Sequence, residues 1–167
     1  MERFSHTLPP ICDGGSRILI LGSFPSVKSR AVQFYYGNPR NRFWPVLARV
    51  LEDPVPDSIE GKKSFLLRHH IALWDVIASC EINGSADSSI QNAVPNDLTP
   101  ILSQCPIRQI YTNGSAAARL YRKFLFPQTG RDAIPLPSTS PANASYSIER
   151  LSASWQVILT ALSDVSH

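Results

Sequence analysis

The chain has 167 residues, of which 43% are hydrophobic and 17% are charged, and its formal net charge is +3. This composition excludes a wholly disordered chain, and the length predicts one domain over residues 1–167. Three cysteines without C-x-x-C spacing argue against a disulfide framework and a structural metal site. No apolar run reaches the roughly 18 residues that a membrane-spanning helix needs. We expect a cytoplasmic or nucleoid protein with no metal, no cofactor and no membrane partner.

The hydrophobic pattern predicts strands that alternate with helices. Buried strands are predicted at 17–22, 71–77 and 108–112, and a short edge strand at 133–137. Helices are predicted at 41–51 with Asn41 as the cap, 58–69, 98–103 with Asn96 as the cap, 116–125 and 148–162. The stretches 23–40 and 81–95 are predicted to be loops. This alternation is typical of an α/β protein, and we expect a three-layer α/β/α sandwich around a central, mainly parallel four-stranded sheet.

The charges are unevenly distributed along the chain. No acidic residue falls between Asp13 and Glu52, or between Asp97 and Asp132, although these two segments hold most of the cations. If the two segments share a face, that face will attract a polyanion. Chance clustering of solvated charges is the alternative interpretation.

Four loops follow predicted strands at their carboxyl ends, where open parallel sheets bind ligands. They span 23–40, 78–95, 113–115 and 138–145, and three of them are rich in Ser, Asn and Gly, which suits contact with phosphates. The first loop leads into five aromatic residues within 34–44, interleaved with two arginines and two asparagines. Phe43 and Trp44 fit a helix core face. Tyr35 and Tyr36 are expected to be exposed beside cations, as in proteins that stack unpaired bases.

Three segments together resemble the uracil-DNA glycosylase superfamily, most closely its hypoxanthine-DNA (deoxyinosine) glycosylase branch. They are Gly22-Ser23-Phe24-Pro25-Ser26, Tyr35-Tyr36-Gly37-Asn38-Pro39-Arg40-Asn41-Arg42-Phe43-Trp44, and Leu136-Pro137-Ser138-Thr139-Ser140-Pro141-Ala142-Asn143. The resemblance runs from the first predicted strand to the last helix and agrees with the α/β/α fold. It implies a monomeric repair enzyme that hydrolyses the N-glycosidic bond of a flipped, deaminated base in DNA, above all hypoxanthine.

The resemblance also implies roles for individual residues. Ser23 and Phe24 would lie under the flipped base and hold the region of water attack, and Asn41 would be the catalytic asparagine. The implied base-binding residues are Phe24, Pro25, Tyr36 as the stacking aromatic, Asn38 and Ser138. The implied DNA-binding residues are Ser26, Lys28, Arg40, Asn113, Gly114, Ser115, Thr139, Ser140, Pro141 and Asn143.

Two positions depart from the common superfamily pattern. Phe24-Pro25 stands where many members have an Asp or Asn that orients water, and Ser138 stands where many have a His or Asn. Both departures argue against uracil as the main substrate. Hypoxanthine leaves with its charge spread onto the six-position oxygen, so the amide of Asn41 is expected to suffice where a carboxylate base is missing.

Other functions remain open from the sequence. They are a uracil or mismatch-type glycosylase, a Schiff-base glycosylase/lyase through Lys28, and a non-catalytic module that binds single-stranded nucleic acid. A small-molecule hydrolase is disfavoured, because no G-x-S-x-G motif occurs and no histidine lies in a motif loop. The histidines are His6, His69, His70 and His167.

Overall fold

The structure, a computed structural model, describes residues 2–6 and 8–163. Its strands are β1 (Glu2–Ser5), β2 (Ile18–Gly22), β3 (Ile71–Asp75), β4 (Ile77–Ile82), β5 (Gln91–Pro95), β6 (Gln109–Asn113) and β7 (Ala133–Leu136). Its α-helices are α1 (Val27–Val32), α2 (Phe43–Leu51), α3 (Ile59–Arg68), α4 (Thr99–Gln104), α5 (Ser115–Leu120), α6 (Phe126–Thr129), α7 (Ile148–Trp155) and α8 (Ile158–Leu162).

The central sheet has four parallel strands in the order β3-β2-β6-β7. All five residues of β2 are buried, as expected for a strand that is covered on both faces. Ile18 and Ile20 pack into a cluster with α2, α3 and α7, whereas Leu19 and Leu21 pack with α4, α5 and β4. The predicted α/β/α sandwich with a parallel four-stranded sheet is confirmed.

A second sheet lies where the sequence predicted a loop. β4 follows β3 after one residue and pairs antiparallel with β1 on one side and β5 on the other. The prediction of a loop at 81–95 was wrong because β5 is half-exposed and pairs with β4 through register shifts, which leaves little hydrophobic alternation to read. A single 3₁₀ turn, Asp87–Ser89, connects these strands.

Several helix boundaries also differ from those predicted. The loop 23–40 contains α1, and α2 begins at Phe43 with Arg42 as its cap residue. Asn96 does not cap α4, because its amide donates to the Asp75 carbonyl at 2.9 Å instead. The helix predicted at 116–125 changes after α5 into a π-helical turn, Tyr121–Leu125, and continues as α6. The last predicted helix is divided into α7 and α8.

Candidate functional site

A cavity of about 290 Å³ opens at the carboxyl edge of the central sheet. Its wall includes residues that end or follow each of the four parallel strands: Gly22, Asp75, Asn113 and Ser138. After β2 the chain forms β3 on one side of β2, and it later forms β6 on the other side. The cavity therefore lies at the topological switch point, where open α/β sheets bind ligands.

Most of the residues predicted from the motifs meet in this cavity. Those that line it are Ser23, Phe24, Pro25, Ser26, Tyr36, Asn38, Asn41, Asn113, Ser138, Thr139, Ser140 and Pro141. The predicted DNA-binding residues outside its lining are Lys28, Arg40, Gly114, Ser115 and Asn143. The first motif loop, residues 22–44, and the second motif loop, residues 138–146, are far apart in sequence. Together they form the walls of one pocket.

A hydrogen-bonded chain of three side chains joins the two motif loops. Asn41 Oδ1 accepts from the Thr139 hydroxyl at 2.8 Å and from the Phe43 backbone N–H at 3.0 Å. Asn113 Nδ2 donates to Thr139 Oγ1 at 3.0 Å, and the Thr139 N–H donates to Asn113 Oδ1 at 3.1 Å. The position of Asn41 is therefore set by the second motif and by the end of β6.

Hydrogen bonds from Arg42 connect the second motif loop to the start of α2. Its guanidinium donates to the carbonyls of Ser140 and Asn143, each at 3.0 Å, and to the Tyr146 carbonyl. Its backbone N–H donates to the Thr139 carbonyl at 3.0 Å. One side chain thereby holds three carbonyls of the loop beside α2.

The two tyrosines of the first motif have different surroundings. Tyr35, expected to be exposed, is only 3% exposed, and its hydroxyl donates to the Pro9 carbonyl at 2.8 Å. Tyr36 is half-buried with φ at +51°, and Phe43 covers one ring face at a centroid distance of 4.0 Å. The Tyr36 hydroxyl accepts from Asn113 Nδ2 at 3.2 Å. Burial, followed by the charge of Asp75, raises the pKa of Tyr36, so its hydroxyl stays protonated.

Two carboxylates line the cavity that the motif analysis did not single out. Asp75 ends β3, and its side chain is 5% exposed beside His6, whose Nε2 lies 2.8 Å from Asp75 Oδ2. His6 lies outside the motif loops, as expected, and reaches the site only through its contact with Asp75. The sequence predicted one strand over 71–77, whereas β3 ends at Asp75 and β4 begins at Ile77. An acidic residue inside a predicted buried strand was the available signal, and nothing in the sequence near His6 predicts this contact.

The second carboxylate, Asp87, comes from the 3₁₀ turn between β4 and β5. It is exposed at the cavity rim, and its Oδ1 accepts from the Ser23 hydroxyl at 2.7 Å. Partial desolvation raises the pKa of Asp87 above its usual value, although the hydrogen bond from Ser23 opposes this effect. A carboxylate therefore adjoins the first motif, contrary to the expectation that none is available.

Two predicted DNA contacts need correction. Thr139 is fully buried, so its hydroxyl positions Asn41 and Asn113 instead of reaching DNA. Gly114 is buried with φ at +98°, and a Cβ there would lie 3.1 Å from Ser138 Cβ. That glycine allows the turn after β6 to approach the second motif closely.

Many cations of the acid-free segments bind the protein itself. Arg30 donates to the carbonyls of Pro25 and Gly84, each at 3.1 Å, and lies over the Phe4 ring. Side chains that likewise donate to backbone carbonyls are those of Arg17, Arg42, Arg108 and Arg131. Lys28 is exposed on α1 outside the cavity lining, which disfavours a Schiff-base role.

Residues 2–6 and 8–163 contain neither a candidate metal site nor a membrane-spanning helix. No group of three or more His, Cys, Asp or Glu in these ranges could hold a metal ion. None of the helices there has the length and hydropathy to span a bilayer.

Comparisons with known proteins converge on one family. The family model of the uracil DNA glycosylase superfamily matches residues 9–160. A protein of Methanosarcina acetivorans named hypoxanthine DNA glycosylase is 36% identical over 152 residues, which cover 90% of this chain and 94% of that protein. A protein of Methanosarcina barkeri with the same name is 32% identical over 108 residues, 64% of this chain and 68% of that protein. A solution NMR structure from M. acetivorans, described as a candidate uracil DNA glycosylase, has a TM-score of 0.79 and 35% identity, and the match covers 93% and 96% of the two chains.

Proposed function

The chain belongs to the uracil DNA glycosylase superfamily and is a DNA glycosylase, and on that premise we propose that it releases hypoxanthine from deoxyinosine in DNA. The observation that carries this proposal is the meeting of the two motif loops around one cavity at the switch point of the sheet. The names of the two Methanosarcina relatives support hypoxanthine as the base. Phe24-Pro25 and Ser138 support it as well, because they replace residues that many uracil-acting members use.

The base must leave the DNA stack before it can enter such a cavity. Extrusion of a base costs a few kcal/mol, and a deaminated base pairs poorly. Its extrusion therefore costs less than that of a normal base. Phe24, which is 7% exposed and lines the wall, is the proposed apolar contact for the base. Tyr36, expected from the sequence to stack on the base, already has one ring face against Phe43, and its proposed contact with the base is through the ring edge that carries the hydroxyl. Asn38 and Ser138 are the proposed polar contacts at its edges.

Cleavage requires that charge on the departing base is stabilised. As the C1′–N9 bond breaks, its electron pair leaves with the purine and the sugar becomes oxocarbenium-like. Asn41 is the proposed catalytic residue, because Oδ1 already accepts two hydrogen bonds and Nδ2 remains as a donor. An aimed donor of this kind stabilises an anionic base as it forms.

Water supplies the oxygen that replaces the base on C1′. Asp87 is the proposed acceptor of the water's proton, and Ser23 is a positioning residue that holds Asp87 Oδ1 at 2.7 Å. The raised pKa of Asp87 makes its carboxylate a stronger base than an ordinary surface aspartate.

DNA binding is assigned to residues around the cavity. Lys28 and Arg40 are exposed and supply charge to phosphates, and Ser115, exposed at the start of α5, supplies its backbone N–H. Asn113 precedes this residue at the cavity wall, whereas the N–H of the buried Gly114 donates to the Leu136 carbonyl. The second motif loop is the proposed wedge beside the extruded nucleotide, through Ser140, Pro141 and Asn143. We propose that one copy of the single domain, residues 1–167, suffices as a monomer, and that it acts on DNA in the cytoplasm or nucleoid.

Base release from matched oligonucleotides tests this function. Duplexes that differ only in one base (hypoxanthine, uracil, xanthine or adenine) are incubated with excess protein, and the free base is quantified by chromatography. Hypoxanthine should be released fastest, by at least tenfold. Faster release of uracil would favour the uracil or mismatch-type alternative, and binding to single strands without base release would favour the non-catalytic module. Borohydride should trap no covalent adduct, whereas an adduct lost in Lys28→Ala would identify a lyase.

A further inference from the structure

The floor of the cavity holds a buried pair that the mechanism above does not use. The side chains of Asp75 and His6 are 5% and 1% exposed, and Asp75 Oδ2 lies 2.8 Å from His6 Nε2. The Leu8 backbone N–H donates to His6 Nδ1 at 3.2 Å, which makes Nδ1 an acceptor. The neutral imidazole therefore carries its proton on Nε2 and donates it to Asp75 Oδ2.

The other oxygen of this carboxylate, Asp75 Oδ1, lies beside the Tyr36 hydroxyl. A Cβ placed on Gly22 would be 2.4 Å from Asp75 Oδ1 and 2.9 Å from the Tyr36 oxygen, so only glycine leaves this space open. Within residues 2–6 and 8–163, no hydrogen bond reaches Asp75 Oδ1, and the Tyr36 hydroxyl accepts from Asn113 without donating. The floor thus presents one acceptor and one donor, side by side.

Asp75 lines the cavity, so an entering base must replace the hydrogen bonds that solvent gives to its free oxygen. A ligand that supplies an N–H to this oxygen does so. A carbonyl next to that N–H would also accept the free proton of Tyr36. The two groups together are complementary to a lactam, in which a ring N–H and a C=O are neighbours.

We propose that Asp75 and Tyr36 select the extruded base by its lactam edge, with Asp75 Oδ1 accepting the ring N–H and the Tyr36 hydroxyl donating to the adjacent carbonyl. The inference rests on the proposed function and names the feature of the base that the site recognises. Deamination of adenine converts N1 from an acceptor to an N–H donor and replaces the 6-amino donor with a carbonyl acceptor. Hypoxanthine therefore matches both groups, whereas adenine opposes both.

The same edge occurs in uracil and xanthine, so this pair separates deaminated bases from their amino parents. The rest of the cavity wall must then discriminate between hypoxanthine, uracil and xanthine. A site built around a hydrogen bond to its ligand rejects an analogue without that group far more strongly than an apolar pocket can.

Binding to DNA that cannot be cleaved tests the proposal directly. Two duplexes carry one 2′-fluoroarabino nucleotide each, with hypoxanthine in the first and unsubstituted purine in the second. Purine lacks the carbonyl and presents N1 as an acceptor. The wild type should bind the hypoxanthine duplex at least 100-fold more tightly, and the cost of base extrusion cancels when variants are compared on the same pair.

Two variants separate the two contacts. In Asp75→Asn the amide oxygen still accepts from His6, so the amide N–H₂ faces the cavity and opposes the ring N–H. The hypoxanthine preference should fall about 100-fold, as for the loss of a hydrogen bond to a charged group. Tyr36→Phe keeps the ring on Phe43 and should lower the preference about tenfold. Asp57→Asn makes the same chemical change at an exposed position outside the cavity and should leave the preference unchanged.

The outcomes distinguish this inference from the proposed function. If the wild type shows no preference, or if Asp75→Asn and Tyr36→Phe both keep it, the lactam-reading role is wrong even when hypoxanthine is released from cleavable DNA. If the wild type releases no base from cleavable hypoxanthine DNA, the proposed function is wrong. Should Asp75→Asn fail to fold, Tyr36→Phe alone decides, because its hydroxyl receives a single hydrogen bond.

Discussion

The side-chain amide of Asn41, which lines the cavity, has a fixed orientation. The Phe43 backbone N–H cannot accept a hydrogen bond, so the Asn41 atom that faces it must be the carbonyl oxygen. The Thr139 hydroxyl donates to the same oxygen, so Nδ2 is the donor that this side chain can offer to a ligand. This orientation suits stabilisation of an anionic leaving base and excludes Asn41 as the base that activates water.

This geometry predicts a specific response to Asn41→Asp. The substitution keeps the acceptor for Phe43 and Thr139 but places negative charge against the developing anion. Single-turnover hypoxanthine release should fall by more than 1,000-fold, whereas Asn41→Ala should fall by about 100- to 1,000-fold, the range for one lost oxyanion donor. Asn83→Asp, on an exposed loop, is the matched control and should retain wild-type rates. An Asn41→Asp enzyme within threefold of the wild type would contradict the donor role.

The proposed role of Asp87 as proton acceptor predicts an acid limb in the pH profile of turnover. The group must be ionised to accept a proton from water, and its pKa is raised above the usual value. Turnover should therefore fall as the pH drops toward that pKa, beginning above the range of an ordinary aspartate. Asp87→Asn should lower turnover at pH 7 about 100- to 10,000-fold and abolish this limb. Asp97→Asn, at an exposed turn outside the cavity, should preserve both.

The same group should oppose folding when it is ionised. An aspartate whose pKa is raised in the folded state destabilises the protein fully above its folded pKa, and the penalty shrinks as the pH falls below that value and is gone below the unfolded pKa. Asp87 is exposed, so screening limits the effect, and Asp87→Asn should raise the unfolding free energy at pH 7 by about 0.5 kcal/mol. Urea unfolding at pH 7 and pH 3 measures it. A gain that persists at pH 3 would not come from this ionisation.

At the scale of elements, the site depends on the hydrogen bonds by which Arg42 connects α2 to the second motif loop. Thr139, at the start of the loop, is held by Asn41 and Asn113, whereas the bonds within the loop are local, such as the Ser140 N–H bond to Ser138 Oγ and the Asn143 amide bond to the Ser138 carbonyl. Beyond Thr139, the Arg42 guanidinium holds the loop beside the cavity through the carbonyls of Ser140, Asn143 and Tyr146.

Arg42→Ala should therefore release the loop without unfolding the sheet. Loss of hydrogen bonds to a charged, half-buried group should lower the unfolding free energy by about 2 kcal/mol. Amide exchange should accelerate in 138–146, and KM for hypoxanthine DNA should rise more than kcat falls. Arg49→Ala on the same helix removes one exposed ion pair to Glu149 at 3.8 Å and should change neither quantity. Unchanged exchange in Arg42→Ala would show that other contacts hold the loop.

The elements that the sequence could predict are those that local patterns define. β2, β3 and β6 are runs of buried residues, and Ser58 caps α3 as its residue type suggests. The rule that ligands bind at carboxyl ends of parallel strands correctly selected the loops that form the cavity.

What could not be predicted depends on contacts between distant segments. β1 and β5 are defined by their pairing with β4, and neither is buried enough to produce a clear periodicity. His6 reaches Asp75 only because β1 aligns beside β4. Likewise, the arginines identified as a possible basic face mostly satisfy carbonyls, and no local pattern distinguishes these two uses of a guanidinium.

At the scale of the whole molecule, the exposed cations next to the cavity matter more than the net charge. Lys28 lies between cavity residues Ser26 and Ser29 on α1, and Arg40 lies between Asn38 and Asn41. Both are exposed, and among residues 2–6 and 8–163 Arg40 donates a hydrogen bond through its backbone N–H, to Asn38 Oδ1, and none through its side chain. These positions are suited to phosphates on either side of an extruded nucleotide.

Salt dependence measures whether these cations contact phosphates. Each phosphate contact adds about one to the slope of log affinity against log salt concentration, because counterions are released. Arg40→Ala and Lys28→Ala should each reduce that slope by about one and weaken binding roughly five- to tenfold near 0.1 M salt, equally for damaged and undamaged DNA. Arg68→Ala removes the same charge at the end of α3, just before the amino end of β3 and so at the opposite edge of the sheet. Arg68→Ala should leave the slope unchanged. If it lowers the slope as much as Arg40→Ala and Lys28→Ala do, DNA responds to the net charge of the protein and does not bind preferentially at the cavity face.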